Sequence, residues 1–240
     1  MKRILKMDFH RLFHSIAFYS VPLAEVLVLI IAALVGENSG NDVTITEILG
    51  DAVFLINYII LMCINMVMLA HWNSEHKNGF IKNYAGNING RHKLAIVKMI
   101  VATVAYTIYF ITAILFSALN ILVNGCKIKW EAIGDMKWTL LLWFLIGIAS
   151  LAISLLFYEI THSTALGYVF AIFLALGVVE DVLVQLIYLI SKNFPSWRYM
   201  LIMGIQAEEN SLVENLIRTV LYIAVFTVGA VIVTKKKDIK

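Results

Sequence analysis

Residues 94–119 read LAIVKMIVATVAYTIYFITAILFSAL, a run with one charged side chain, Lys98, and neither proline nor glycine. A hydrocarbon core about 30 Å thick takes about 20 mostly apolar residues of helix to cross. Its backbone amides must also be bonded within the segment, which a helix achieves and an open strand does not. Working outward, two comparable blocks precede this one, at 15–36 and 51–72, and three follow, at 139–158, 164–190 and 216–234. Hydrophobic residues make up 61% of the chain and charged ones 15%, with a mean hydropathy of +0.85. The expectation is an all-α membrane protein with six transmembrane helices in a domain covering 15–234.

Charge gives that domain an orientation. With the N-terminus inside, thirteen of the nineteen lysines and arginines fall on the inner side: Lys2, Arg3, Lys6, Arg11, Lys77, Lys82, Arg91, Lys93, Lys98 and four in the tail at 235–240. Outer segments are acidic instead, with Glu37, Asp42, Glu47 and Asp51 early and Glu208, Glu209 and Glu214 late. This matches the positive-inside rule, with both termini cytoplasmic. The net charge of +3 is thus a topology signal and implies no nucleic-acid partner. The first block is too long for the core of a cleavable signal and lacks a small-x-small cleavage site, so it is expected to remain as a span. The two short ends, 1–14 and 235–240, are expected to hold no further domain.

Within 1–14, Ile4, Leu5, Phe9, Leu12 and Phe13 recur at helical spacing, with Lys2, Arg3, Lys6, Asp8 and Arg11 mostly elsewhere on the circumference. This predicts an amphipathic helix lying in contact with membrane lipid, or else a charged flank that only sets topology.

Several residues inside the blocks stand out. Glu180 and Asp181 interrupt an apolar run, where acids are expensive and mark functional positions. A continuous helix from Thr164 would lift Glu180 about 24 Å, into the outer leaflet. The pair either faces a substrate path and attracts cations, or is held by headgroups, Arg198 or Arg218. Glu25 lies near Pro22, which can kink its helix; it faces the bundle interior or a polar crevice, and is a third candidate acid for the substrate path. Gly167, Ala171 and Ala175 form a small-xxx-small face, as do Ser150 and Ser154, for packing within this subunit or against another. Trp72, Trp130, Trp138 and Trp197 fall near the block edges, as interfacial anchors do. Ser211 and Glu214 have capping-box spacing at the last helix, and Thr44 and Glu47 repeat it.

Catalytic signatures are missing from the sequence. It contains no G-x-x-x-x-G-K-[ST] phosphate loop and no H-E-x-x-H. No G-x-S-x-G is present either. His10 and His14 have i, i+4 spacing without an evident third ligand. Glu159-x-x-His162 occurs once, where di-metal carboxylate chemistry needs it from several helices. Cys63 in a span and Cys126 in a loop make no disulfide framework. Neither catalysis, a bound metal nor a cofactor is expected in this chain.

The inner loop at 73–93 is the longest patterned connection. It runs through Glu75-His76-Lys77-Asn78-Gly79-Phe80-Ile81-Lys82-Asn83, and Asn78-Gly79 breaks regular structure. This string resembles the Glu…Asn-Gly-x-Ile/Leu-Lys-Asn segment after the second span of type 2 ABC transporter permeases, most closely in the lantibiotic- and bacteriocin-immunity group. Many members carry a proline where this chain has Asn87-Ile88-Asn89-Gly90-Arg91, and Asn and Gly can make a turn there too. The resemblance implies a permease subunit of an ATP-driven exporter, resident in a bacterial plasma membrane. It implies a re-entrant hairpin at 178–210 between spans five and six. It also implies a coupling surface at Glu75, Lys77, Asn78, Gly79, Ile81, Lys82 and Asn83 for a separate ATPase subunit, in two copies, which would bind ATP and magnesium. A second six-span permease, identical or related, would complete the path. The implied cargo is a cationic antimicrobial peptide, with drugs, lipids or small hydrophobic compounds as the runner-up. A polytopic membrane enzyme or sensor scaffold is the alternative of a different class.

Overall fold

The computed structural model describes residues 2–35, 59–77, 91–123, 131–192, 200 and 211–236. Those residues form eight α-helices and no strand. They are α1 (Lys2–Phe13), α2 (Ile16–Val35), α3 (Leu61–Lys77), α4 (Arg91–Val123), α5 (Glu131–Thr161), α6 (Thr164–Ala175), α7 (Val178–Ile190) and α8 (Leu212–Lys236).

Three of these are long and apolar enough to cross a membrane: Lys93–Phe116 in α4, Lys137–Thr161 in α5, and α8. The α6–α7 pair adds a fourth if its two halves make one broken span. In α2 the qualifying apolar stretch is short, Ile16–Leu27, and α3 has 17 helical residues, with 51–58 outside the described part. The described residues are therefore all-helical in architecture, with three to four helices able to span.

α8 lies along α5 and α4, α6 sits between α3 and α5, and α2 packs on α4 and α3. The shared core includes Ile64, Met68, Leu69, Trp72, Tyr106, Tyr109, Leu151, Leu155 and Tyr158, all 1% exposed or less. Outside it, Leu23, Leu115, Phe173, Leu186, Ile190 and Val225 are exposed. Apolar surface on this scale belongs against lipid or another chain rather than water.

The 164–190 block is not one helix. α6 stops after 12 residues and α7 leaves at 77° to it. Gly177 makes the corner with φ +75, and no atom lies near where its Cβ would be. It is therefore glycine's access to the left-handed region, rather than crowding, that suits it to the turn. The bend corrects the height expected of Glu180. α6 rises only about 18 Å, and α7 turned this far gains little more along that axis. Residues 193–199 and 201–210, the rest of the expected hairpin, lie outside the described residues.

One helix start is built as its sequence predicts. Ser211 and Glu214 exchange bonds, each backbone amide donating to the other's side chain at 3.2 Å. Between α5 and α6, His162 takes φ +49 and Ser163 caps α6 by accepting from the Leu166 amide at 3.4 Å. Trp72 departs from expectation. It is fully buried, with its ring 6.0 Å from that of Tyr158, and so serves the core rather than the interface. Trp138 is 45% exposed, as an interfacial anchor would be. Trp130, Trp197, Cys126 and the Thr44–Glu47 spacing lie outside the described residues.

Candidate functional site

α1 is helical as its periodicity predicts, but much of its apolar face meets the protein. Leu12 is fully buried, and Ile4, Leu5, Phe9 and Phe13 pack in part against the core. Asp8, expected among the polar residues, is 1% exposed. The reason is geometric: Leu5, Asp8, Phe9 and Leu12 follow i, i+3, i+4, i+7 and share one face.

That buried acid has a partner on α3. His71 Nε2 donates to Asp8 Oδ1 at 2.7 Å, with both side chains nearly sealed from solvent. Beside it, Arg11 Nη2 donates to Ser74 Oγ at 3.0 Å, and Ser74 donates to the His71 carbonyl at 2.7 Å. The elbow between α1 and α2 is closed by Tyr19, whose hydroxyl donates to the Phe13 carbonyl at 2.9 Å. That carbonyl is one of the acceptors a helix end leaves without an intrahelical donor. Deeper in, Tyr109 of α4 donates to the Phe18 carbonyl at 2.7 Å. The N-terminal helix is thus bonded to the last turns of α3, the helix that delivers the chain to the 73–93 loop.

Of the loop residues, Glu75 and Lys77 belong to the final turn of α3, and their side chains are not described. Asn78, Gly79, Ile81, Lys82 and Asn83 lie outside the described residues.

A second polar contact links α4 and α5. Lys98 Nζ donates to Glu159 Oε1 at 2.6 Å and lies 5.6 Å from the centre of the Tyr158 ring. Both side chains are 4% exposed. Glu159 therefore belongs to the buried face of α5, where its carboxylate is engaged by the Lys98 ammonium. Asn65 of α3 donates to Ser150 Oγ at 2.8 Å, so that serine row packs inside the subunit. Gly167, Ala171 and Ala175 do likewise. All three are buried, and a Cβ on Gly167 would approach Leu69 of α3 at 3.1 Å.

The remaining acids separate. Glu25 is buried and accepts from Thr112 Oγ1 at 2.8 Å, which settles it in the α2–α4 interface. Glu180 is 4% exposed, in the first turn of α7, within electrostatic reach of Arg218 and Tyr222 on α8. Helix N-terminal amides favour a carboxylate at such a position. Asp181, one residue on, is exposed.

Sequence reading missed the Asp8–His71 and Lys98–Glu159 pairs. The signal for Asp8 was its register with the apolar residues of α1. Lys98 likewise falls in step with Leu94, Val101, Ala102 and Ala105, and Glu159 with Leu151, Ala152 and Leu155. Among the described residues, no group of three or more His, Cys, Asp or Glu is arranged to hold a metal ion. A scan of protein-family models returns no match for the chain, and neither does a search of curated proteins.

Proposed function

We propose that the chain is the membrane-spanning permease subunit of an ATP-driven exporter, with six spans, both termini cytoplasmic and an outer hairpin beginning at α7. The observation that carries this reading is the bonding of α1 to the end of α3 through Asp8–His71 and Arg11–Ser74. A helix pinned at the membrane edge to the root of the inner loop is a mechanical link. Force applied to the loop by a docked ATPase subunit would move α1, α3 and the helices packed on them as a unit. The string from Glu75 to Asn83 is the docking element in this reading, and a second permease subunit completes the path.

Affinity purification of the tagged chain from its native membrane, in mild detergent, should retain an ATPase subunit. Glu75→Lys or Gly79→Trp should release that subunit or uncouple its hydrolysis, with insertion unchanged. Purification free of any nucleotide-hydrolysing partner would overturn the exporter reading and favour a sensor scaffold or membrane enzyme.

The cargo in this proposal is a cationic antimicrobial peptide, and the structure narrows which acid to test. Glu180 is committed to the interior near Arg218, whereas Asp181 is open to an approaching cation. Asp181→Asn should lower protection against cationic peptides several-fold and leave neutral hydrophobic compounds unaffected, and high salt should weaken the wild type toward the variant. Equal loss for both cargo types would point to the runner-up, a permease for small hydrophobic compounds.

A further inference from the structure

Beneath the α1–α2 elbow lies a cavity of about 340 Å³, walled by His10, Arg11, His14, Ser15, His71 and Ser74. Small-ligand pockets run from about 300 to 1,000 Å³, so this one suits a compact group. Among the described lining residues there is no carboxylate. Asp8, whose partner His71 lines the cavity, is bonded to that imidazole at 2.7 Å. The wall instead holds a guanidinium, three imidazoles and two hydroxyls. A guanidinium presents a planar fork of donors that matches phosphate oxygens, and it opposes a metal cation.

The walls are also held in place. Arg11 and Ser74 are joined at 3.0 Å, and the His10 and His14 rings stack with centroids 4.0 Å apart. His14 donates from Nδ1 to the His10 carbonyl at 2.7 Å, which aims its other nitrogen away from the backbone. Donors fixed before binding lose less freedom when a ligand arrives. A separate feature leads to the same place. Lys2, Lys6, His10 and His14, spaced i, i+4, are all exposed and make a basic stripe along α1 that ends at the cavity.

We infer that this cavity binds a phosphate group, delivered either by the headgroup of an anionic phospholipid or by a soluble phosphate. The inference does not depend on an ATPase subunit or on transport. A phosphate there would bridge α1 to the last turns of α3 and brace the elbow.

The full chain, purified in a nonionic detergent, allows both sources to be tried. In one arm, native mass spectrometry follows phosphatidylglycerol retained from mixed phosphatidylcholine–phosphatidylglycerol micelles. In the other, calorimetry follows titration with inorganic phosphate. Arg11→Gln should weaken binding roughly tenfold or more, as expected for one charge-assisted hydrogen bond. His10→Gln with His14→Gln changes only exposed rings and should weaken it in the same direction. If Arg11→Gln fails to fold, the histidine pair decides alone. Variant-sensitive retention of phosphatidylglycerol supports the site with a lipid source, and variant-sensitive heat with inorganic phosphate supports it with a soluble one. Wild type binding neither, or the variants binding both sources as tightly as wild type, overturns the site.

Discussion

Lys98 Nζ sits 2.6 Å from Glu159 Oε1 between α4 and α5, in a bundle that offers either charge little water. Removing one partner from such a pair strands the other, at a cost of about 3–5 kcal/mol, whereas replacing both by apolar side chains is often close to neutral. Lys98→Met alone or Glu159→Gln alone should therefore lower the thermal midpoint sharply. The double variant Lys98→Met/Glu159→Leu should recover most of the loss. Thermal unfolding of all three in detergent checks this, and a double variant that loses the sum of the singles would show that the two act independently. Asp8 and His71 repeat the arrangement at the elbow, 2.7 Å apart and equally enclosed.

At the scale of elements, the α4–α5 contact depends on a glycine. A Cβ on Gly147 would fall on the ring of Tyr106, which is 1% exposed and donates to the Trp143 carbonyl at 3.2 Å. Phe110 and Phe144 pack around the same ring, so it has little room to yield. Overpacking of this kind typically costs about 1–3 kcal/mol. Gly147→Ala should thus destabilise the protein by that order, and adding Tyr106→Leu should restore part of it. Denaturation midpoints of the single and double variants decide this. A Gly147→Ala protein as stable as wild type would mean that the two helices separate without strain. The α5–α6 junction is tighter still: Phe157 and Phe170 stack at 4.0 Å across a turn of two residues.

For the molecule as a whole, the testable quantity is which side of the membrane each connection faces. Single cysteines at Asn83 and Lys236 should react with a membrane-impermeant thiol reagent only from the cytoplasm, and those at Asn41 and Asn124 only from outside. Labelling of Asn83 from outside would reverse the inner loop and remove the ATPase-docking proposal with it. The apolar side chains left exposed along α2, α6, α7 and α8 are surface that belongs against lipid or another chain rather than water.

Helical class was legible in the chain alone, because an apolar run such as 94–119 has no other way to satisfy its backbone in a hydrocarbon core. So was the capping of α8 by Ser211 and Glu214, since that bond pattern spans three residues and needs nothing distant. The helicity of α1 followed from its periodicity, but its surroundings did not. Whether Leu12 meets lipid or protein depends on what α3 and α4 place opposite it, and periodicity carries no such information. The same limit applies to the pairs. In helices apolar on nearly every side, sequence register marks Lys98 and Glu159 as costly without saying that they meet across 61 residues. Glu180 and Asp181 are adjacent in sequence and alike in charge, yet neighbours on a helix point about 100° apart. Only the bend at Gly177 and the position of α8 turned Glu180 inward, near Arg218, and left Asp181 exposed.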